Sequence, residues 1–330
     1  MHKMGECGNI GLGYYPQRAV MEIIHKTVLL RETIELLDVR PDGIYVDATL
    51  GGGGHASEIA KRLKTGLLVG VDQDSAAIER AEAVLAPYSQ QVRVVRANFS
   101  QTQYIMDTAQ ISYADGVLMD LGVSSFQFDD GTRGFSYNYD ARLDMRMDER
   151  QDFSAYDVVN DYSATDLATI FINYGEERWA RRIAEFIVDK RTKSPIETTF
   201  QLVDIIKTAI PRAARSDGPH PAKRVFQAIR IEVNSELAIL EKAIEDFVKI
   251  LQPGGIICII TFHSLEDRLT KNLFRRLATT CTCPRDFPVC ICKTRPSLEI
   301  ITKRPIIPSD DEITGNNRAR SAKLRAARKI

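Results

Sequence analysis

The stretch that decides the fold of this chain is Ile44-Tyr45-Val46-Asp47-Ala48-Thr49-Leu50-Gly51-Gly52-Gly53-Gly54-His55. Its apolar start predicts a β-strand over residues 44–46, and the four glycines after it let a backbone loop approach a ligand closely. A second apolar strand, over residues 67–71, ends at Asp72, where a carboxylate can accept hydrogen bonds from both hydroxyls of a ribose. Together these features predict a cofactor that contains adenosine.

The pattern after the glycine loop alternates apolar strands with amphipathic helices. Helices are predicted over residues 57–63 and 76–85, and strands over residues 67–71, 92–95 and 116–119. This alternation is typical of an α/β fold, in which helices cover both faces of a parallel sheet and ligands bind at the carboxyl ends of the strands. Four polar residues should therefore share one edge of the sheet: Asp47, Asp72, Asn98 and Asp120.

The alternation stops after Asp120, which predicts an inserted helical domain. Residues 126–139 are rich in turn residues and aromatics, and helical patterns follow over residues 157–173, 176–190 and 199–210. Thr198 and Gln201 have the spacing of a capping box at the start of the last helix. We expect a sheet domain of residues 25–125 and 221–330, an insertion of residues 126–220, and a disordered extension of residues 1–24.

A long apolar stripe leads from the insertion back to the sheet. Apolar residues recur at helical spacing from Val225 to Val248, so we predict one continuous helix there. The polar face of this helix carries Lys223, Gln227, Arg230 and Asn234, and the spacing alone favours a solvated side. Further strands are predicted over residues 256–262, followed by His263, and over residues 298–302.

Composition excludes some classes of protein. The chain has 44 basic and 44 acidic residues, so a nucleic acid would have to be held by local basic patches. Residues 316–330 form one such patch, with six basic residues and no acidic one, although a solvated tail explains the charge equally well. The longest apolar run, residues 256–262, is far shorter than the about 20 residues of a membrane span. Because residues 1–20 also lack the apolar core of a secretory signal, we predict a cytoplasmic protein with no membrane contact.

Four of the six cysteines cluster, as Cys281, Cys283, Cys290 and Cys292. Their thiolates could bind zinc, but the C-x-C spacing departs from the usual pairs separated by two to four residues. In a reducing cytoplasm, plain reduced thiols are the simpler interpretation. We therefore expect no metal, and a zinc site on these four residues is the alternative.

Two kinds of cofactor that contain adenosine fit the glycine loop. Residues 51–56 match a loosened dinucleotide fingerprint, G-x-G-x-x-A, which keeps a nicotinamide-dependent dehydrogenase as an alternative. Other residues favour S-adenosylmethionine, because Asp47 and Thr49 would meet the charged groups of its amino-acid end. Phe99 could pack on an adenine face, and Asp120 would bring a carboxylate beside the reactive centre. For each aspartate alone, a strand-end cap that binds loop amides is the simpler interpretation.

Longer motifs resemble a known family. They are Asp47-Ala48-Thr49-Leu50-Gly51-Gly52-Gly53-Gly54-His55, Asp120-Leu121-Gly122-Val123-Ser124-Ser125, Arg133-Gly134-Phe135-Ser136, Leu143-Asp144-Met145-Arg146-Met147-Asp148, His220-Pro221-Ala222-Lys223-Arg224-Val225-Phe226-Gln227-Ala228 and Thr261-Phe262-His263-Ser264-Leu265-Glu266-Asp267-Arg268. On these residues the chain resembles the MraW family, also called RsmH, of bacterial methyltransferases that act on small-subunit ribosomal RNA. The resemblance implies a class I (Rossmann-like) S-adenosylmethionine-dependent methyltransferase sheet with an inserted helical domain for RNA recognition. It also implies methylation of the N4 amino group of a cytidine in the decoding region of 16S ribosomal RNA.

The resemblance further implies which residues contact the cofactor. Carried over by position, they are Gly53, Gly54, His55, Asp72, Phe99, Asp120 and Gln127. Asp47 joins them because it would meet the charged groups of the amino-acid end. One feature departs from other enzymes that methylate exocyclic amines. Many of these carry an Asn/Asp-Pro-Pro-aromatic loop after the fourth strand, whereas this chain has Asp120-Leu121-Gly122-Val123.

Methyl transfer to an amine needs an aligned nucleophile and an acceptor for its hydrogens. Asp120 is the first candidate for the acceptor, and the lesser candidates are Asp144, Asn234 and His263. The RNA phosphates would be bound by Lys223, Arg224, Arg230 and the basic tail, while aromatics of residues 126–139 would stack on an extruded base. The expected partner is 16S ribosomal RNA or the small ribosomal subunit, and a homodimer is left open. A non-catalytic RNA-binding or assembly factor is the second alternative function.

Overall fold

The protein is built on one seven-stranded sheet. The computed structural model describes residues 27–123, 128, 130–215, 220–281, 283, 291–292 and 295–330, so the extension predicted at residues 1–24 lies outside the described residues. The strands are β1 (Ile44–Asp47), β2 (Leu67–Asp72), β3 (Val92–Arg96), β4 (Ala114–Asp120), β5 (Leu251–Thr261), β6 (Leu298–Ile300) and β7 (Lys323–Lys329).

The order of the strands creates the edge at which a ligand would bind. They lie in the order β3-β2-β1-β4-β5-β7-β6, with β1 to β5 parallel and β7 antiparallel to both of its neighbours. From β1 the chain first adds β2 and β3 on one side and then adds β4 and β5 on the other side of β1. The place between β1 and β4 is a topological switch point, where ligands bind in such sheets. Asp47 is in register with Gly70 of β2 and Leu118 of β4, so Asp72 and Asp120 follow at the same edge. The predicted α/β fold with a parallel sheet is confirmed.

Helices pack on both faces of the sheet and form the insertion. In chain order they are α1 (Leu30–Leu37), α2 (Gly54–Ala60), α3 (Ser75–Leu85), α4 (Thr102–Ala109), α5 (Ala155–Asp161), α6 (Ala164–Asn173), α7 (Ala180–Arg191), α8 (Thr199–Ala209), α9 (Lys223–Val233), α10 (Glu236–Ile250), α11 (Ser264–Leu277) and α12 (Asp310–Gly315). In β4, Leu118 packs in one apolar cluster, while Val117 and Met119 pack in another. Burial on both faces explains why the strands are continuously apolar. None of the described helices has the length and apolar character needed to cross a membrane.

The helices of the insertion differ from the sequence prediction at their ends. The helix predicted over residues 157–173 is two helices, α5 and α6, because the Ser163 side chain caps the start of α6 by accepting a hydrogen bond from Asp166 N at 3.1 Å. The helix predicted from residue 176 begins only at Ala180. The capping box at the start of α8 is confirmed, since Thr198 and Gln201 each bind the other's backbone amide.

The long apolar stripe that predicts one helix is also divided between two, α9 and α10. Ser235 lies between them with a φ of 51°, a left-handed conformation that ends α9 and redirects the chain. The apolar residues of α9, such as Ile229, pack in the core of the insertion, whereas those of α10, such as Ile244, pack against the sheet. The packing of the insertion therefore extends to Val233, beyond the boundary predicted at residue 220.

The predicted basic tail is a strand of the sheet. Residues 323–329 form β7 between β5 and β6, and Leu324, Ala326 and Ala327 are fully buried. Arg325 is also buried, and its Nε lies 2.7 Å from Asp267 Oδ1 on α11. The interpretation as a solvated tail is wrong for β7, because its backbone and its central side chains are used by the fold. Arg328 remains exposed, and RNA binding by this segment stays a prediction.

Candidate active site

The glycine loop connects β1 to α2 at the switch point of the sheet. Gly51 and Gly53 have φ angles of 51° and 80°, which side chains with a Cβ rarely adopt. A Cβ on Gly53 would also come within 3.3 Å of the Cα of Ala81 on α3, and one on Gly54 would overlap Thr27 Oγ1. The sequence therefore needs glycine here both for the turn and for close packing.

A cavity of about 390 Å³ lies beside this loop, between the carboxyl edge of the sheet and the insertion. Its volume falls in the range of small-molecule sites, about 300–1,000 Å³. Gly51, Gly52, Gly54 and His55 line one side of the cavity. Gly53 packs against α3 and is not among the lining residues, and its predicted contact with a cofactor stays a prediction. Gln127, another predicted contact, lies outside the described residues.

Asp72 offers its carboxylate to the cavity, as the sequence predicts. Its Oδ2 accepts a hydrogen bond from Gly51 N, and its Oδ1 accepts one from Asp74 N, both at 2.9 Å. Burial raises the pKa of Asp72, although these amide bonds oppose the shift. Each oxygen keeps a second lone pair, so the carboxylate can still accept from the hydroxyls of a ribose. Phe99 lines the cavity beyond β3 and is the predicted surface for an adenine.

Asp47 lies beneath the cavity and is not part of its wall. The residue is 1% exposed, and its Oδ1 accepts a hydrogen bond from Thr49 N at 3.2 Å. Burial raises the pKa of Asp47 to about 7, and the nearby charge of Asp72 adds to the shift. Asp47 therefore supports the loop from behind, and its predicted direct contact with the cofactor stays a prediction. Thr49 extends this support, since its Oγ1 accepts a hydrogen bond from Asp120 N at 2.6 Å.

Asp120 combines burial with unused hydrogen-bonding capacity. Its side chain is 25% exposed, but Oδ1 is buried and has no hydrogen-bond partner among the residues that the structure describes. Its Oδ2 lies 3.7 Å from Nδ1 of His55, which is buried at the start of α2. Burial raises the pKa of Asp120 well above its ordinary value, and the negative charges of Asp47 and Glu266 raise it further. A buried carboxylate oxygen without a donor is a position at which a ligand N–H can bind.

A charged cluster forms the wall of the cavity near the end of β5. His263 caps α11, and its Nε2 lies 3.0 Å from Oε1 of Glu266. Arg230 binds Glu236 through two contacts, Nε to Oε1 at 2.8 Å and Nη2 to Oε2 at 2.9 Å. Burial opposes the charged form of Glu266, but His263 and Arg230 more than compensate, so the pKa of Glu266 is lowered.

This cluster bears on the roles predicted for Arg230 and His263. Arg230 is only 12% exposed and paired, so it does not present a guanidinium to RNA phosphates as predicted. Ligand atoms of Glu236, His263 and Glu266 lie within 4.8 Å of one another, a spacing that suits a metal ion. Arg230 already supplies the positive charge that balances Glu236, so we assign the cluster to charge pairing. His263 lines the cavity as predicted; its Nδ1 accepts from Glu266 N at 3.4 Å, and its Nε2 lies beside Glu266 without a hydrogen bond among the described residues.

Asp144 and Asn234 both make contacts that hold the insertion, and Asn234 also lines the cavity. Asp144 is absent from the cavity wall and binds Arg146, with Nη2 2.8 Å from Oδ2. Burial raises the pKa of Asp144, but the hydrogen bonds and charge of Arg146 lower it below its ordinary value. Asn234 accepts from Met147 N and donates to Met145 O, both at 2.8 Å. These contacts occupy both amide hydrogens of Asn234 and both carboxylate oxygens of Asp144, and the catalytic roles of the two residues stay predictions.

Aromatic side chains of the insertion form the other half of the cavity. Phe128, Phe135, Tyr137 and Phe226 line it, whereas Tyr139 of the same predicted group is exposed and outside the wall. The Tyr137 ring stacks on His220, with centroids 4.5 Å apart, and meets the edge of Phe226 at 5.8 Å. Phe226 was not predicted as a site residue, because it belongs to an apolar stripe that also predicts core packing.

Two of the predicted phosphate-binding residues are exposed at the start of α9. Lys223 lines the cavity and is exposed, which suits the predicted role. Arg224 is exposed and donates from Nη1 to the backbone oxygen of Glu176 at 3.0 Å. The tail contributes Arg318 to the cavity wall, a contact that β7 does not make.

Comparison with known proteins decides the family of this chain. The model of the MraW methylase family matches residues 22–330. The chain belongs to the MraW methylase family. It is 55% identical, over 311 residues, to a ribosomal RNA small subunit methyltransferase H of Clostridioides difficile (strain 630), covering 94% of this chain and 100% of that protein. A protein of the same name from Symbiobacterium thermophilum is 52% identical over 94% of this chain and 98% of its own length.

Membership of this family makes the protein a methyltransferase, and S-adenosylmethionine is the cofactor of the family. The dehydrogenase alternative is thereby excluded. Among solved structures, an rRNA methylase from Streptococcus thermophilus aligns with a TM-score of 0.42 at 10% identity, covering 92% of this chain and 98% of that chain. The assignment of this family member to the class I methyltransferase fold rests on the strand order and on the cavity at the switch point.

Proposed function

We propose that the protein transfers a methyl group from S-adenosylmethionine to the N4 amino group of a cytidine in the decoding region of small-subunit ribosomal RNA. The names of its relatives support an RNA of the small subunit. The observation that carries the choice of an amine is the buried Asp120 Oδ1, which has no donor among the described residues. Because small-subunit ribosomal RNA is located in the cytoplasm, this substrate would also place the protein there.

The half of the cavity next to the glycine loop suits the cofactor. Asp72 can accept from the ribose hydroxyls, Phe99 can cover the adenine, and Gly54 and His55 at the start of α2 can meet the amino-acid end. The backbone amides at this helix start carry partial positive charge, which favours a carboxylate. When bound, the cofactor supplies an electrophilic methyl group on a positively charged sulfur.

Asp120 would orient the amine that attacks this methyl group. The lone pair of the cytosine amine is spread into the ring, so an acceptor that binds the amine hydrogens can turn the lone pair toward the methyl carbon. A new N–C bond forms as the S–C bond breaks, and the nitrogen then loses a proton. The raised pKa of Asp120 makes its ionised carboxylate a stronger base for this proton. A nearby cationic sulfonium favours that ionised form.

The aromatic half of the cavity suits an extruded base. A cytosine held in a folded RNA must leave its stack before its amine can reach Asp120. Phe135, Tyr137 and Phe226 provide ring surfaces in the cavity wall, and the exposed Lys223 adds a positive charge to it. Stacking of a base on an aromatic side chain contributes about 1–3 kcal/mol, which would offset part of the cost of extrusion.

The test is a comparison of modified nucleosides in small-subunit ribosomal RNA from cells with and without the gene. We expect N4-methylcytidine to be lost in the deletion strain and restored by the wild-type gene; an unchanged level would reject the proposal. Asp120→Asn should fail to restore it. The matched control is Asp107→Asn, which changes an exposed carboxylate on α4 outside the cavity and should restore it fully.

An assay in vitro separates an enzyme from a non-catalytic RNA-binding factor. Transfer of a tritiated methyl group to free RNA, isolated small subunits and whole ribosomes would identify the substrate. We expect Asp120→Asn to slow this transfer by about 100-fold to 10,000-fold, the range for a lost acid-base group, while RNA affinity is retained. Full transfer by the variant would remove Asp120 from the mechanism. Sedimentation would test the homodimer, which stays a prediction.

A further inference from the structure

The segment between α11 and β6 leaves the sheet and returns to it. Ser297 N donates a hydrogen bond to Leu277 O at 2.8 Å, so the two ends of the segment meet at its base. Ile330 N, after β7, donates to Ser297 O at 3.2 Å and ties the same point to the sheet. Within the described part of this segment, none of the cysteines lines the active-site cavity.

Three cysteine sulfurs converge in this segment. The Sγ atoms of Cys281, Cys283 and Cys292 all lie within 4.8 Å of one another. Those of Cys281 and Cys292 are 3.8 Å apart, whereas a disulfide bond would bring them to about 2.05 Å. Zinc holds thiolates at about 2.3 Å in a tetrahedron, which places neighbouring sulfurs about 3.8 Å apart. The observed spacing is therefore that of two corners of a zinc tetrahedron.

Backbone amides point at two of these sulfurs. Cys283 N lies 3.4 Å from Cys281 Sγ, and Ile291 N lies 3.4 Å from Cys283 Sγ, both as hydrogen bonds. Such bonds stabilise negative charge on sulfur, and thiolates are the form in which cysteine binds a metal. The second contact joins residues from the two sides of the segment, and the fold places Cys292 beside Cys281 and Cys283.

We infer that Cys281, Cys283 and Cys292 bind a zinc ion as thiolates. Three soft sulfur donors exclude magnesium and calcium, which prefer oxygen, and favour zinc with its tetrahedral geometry. Each thiol releases its proton to solvent as its sulfur bonds to the metal, and no electron is transferred. Cys290 belongs to the same motif but lies outside the described residues. The inference replaces the expectation of no metal that the unusual C-x-C spacing favours, because the spacing of sulfurs in space decides binding.

The first test measures metal in the full-length protein. We expect close to one equivalent of zinc per chain after dialysis, and a strong sulfur-to-metal charge-transfer absorption when cobalt replaces it. Cys281→Ser and Cys292→Ser should each lower the zinc content and weaken the absorption. The matched control is Cys258→Ala, which removes a thiol buried in β5 and should leave both signals unchanged. Wild-type protein without zinc and without the cobalt absorption would overturn the inference.

A second measurement uses the wild-type protein, in case the variants do not fold. Cys281 is exposed, so it should react quickly with iodoacetamide unless a metal holds its lone pair. We expect slow alkylation in the protein as purified, fast alkylation after chelation, and protection again when zinc is restored. Alkylation that is equally fast in all three states, or a disulfide among these cysteines, would overturn the inference. Neither result affects the test of Asp120, because these thiols lie outside the cavity.

Discussion

Replacing Asp47 with asparagine should stabilise the cofactor-free protein at neutral and alkaline pH. Asp47 is 1% exposed, and burial raises its pKa from an ordinary value of 3.8 to about 7. The folded state therefore binds a proton more tightly than the unfolded state does. The stability that comes from this proton is fully present below about pH 3.8 and is lost as the pH rises to about 7.

The magnitude follows from the size of the shift. A difference of about three pKa units, at about 1.4 kcal/mol each, means that ionised Asp47 lowers the free energy of unfolding by about 4 kcal/mol above pH 7. Asparagine keeps an oxygen that can accept from Thr49 N. Its NH2 group is buried and needs hydrogen-bond acceptors, which lowers the free energy of unfolding by about 1–2 kcal/mol. The net gain of Asp47→Asn at pH 8 should thus be about 2–3 kcal/mol.

Urea unfolding followed by circular dichroism measures this gain at two pH values. Between about pH 5 and about pH 8, the difference in free energy between variant and wild type should change by about 2–3 kcal/mol in favour of the variant. The exposed Asp107→Asn on α4 is the control and should show no such change. The reasoning is refuted if the effect of Asp47→Asn is the same at both pH values, since the substitution would then act without any titration.

Three other changes test the pairing and the strain seen in the fold. Arg230→Met should lower the free energy of unfolding by about 3–5 kcal/mol, because it leaves the Glu236 carboxylate, 11% exposed, without its partner. In urea titrations, the double variant with Glu236→Gln should recover most of this loss. If it recovers none, the pairing is contradicted. Gly53→Ala should lower the free energy of unfolding by about 1–2 kcal/mol because of the φ of 80°, and by a further amount because the new Cβ would press on Ala81. Gly254 has a φ of 86° and open space around it, so Gly254→Ala should show only the loss that comes from φ. Thermal unfolding measures both variants. Arg325→Gln should destabilise β7 and leave RNA affinity in filter binding unchanged; reduced affinity with unchanged stability would favour a solvated basic tail.

The first half of the sheet follows from local sequence patterns. The apolar strands after residues 44, 67 and 116 each end in an aspartate, and parallel pairing brings these ends together whatever the rest of the chain does. The glycine loop is equally local, because the φ angles of Gly51 and Gly53 are requirements of a few consecutive residues. For this reason the edge of the sheet with the cavity could be predicted, whereas the burial of Asp47 and the packing of Gly53 against α3 could not.

The C-terminal strand could not be predicted in the same way. Residues 323–329 carry four basic side chains, which is typical of a solvated segment. They form β7 because β5 and β6 offer hydrogen bonds on both sides and Asp267, distant in sequence, neutralises Arg325. The break between α9 and α10 has a similar cause, since each half of the stripe packs on a different core.

The sequence by itself determined the parallel sheet, the glycine loop, the family and the position of Asp120 at the end of β4. These depend on periodicity and on motifs of neighbouring residues. Only the tertiary structure decided which charges are paired and which are available: Arg325 is held by Asp267 and Arg133 by Asp74, while one oxygen of Asp120 has no donor among the described residues. The physical reason is that pairing and loss of water depend on distances between residues far apart in the chain, and the order of residues alone does not contain those distances.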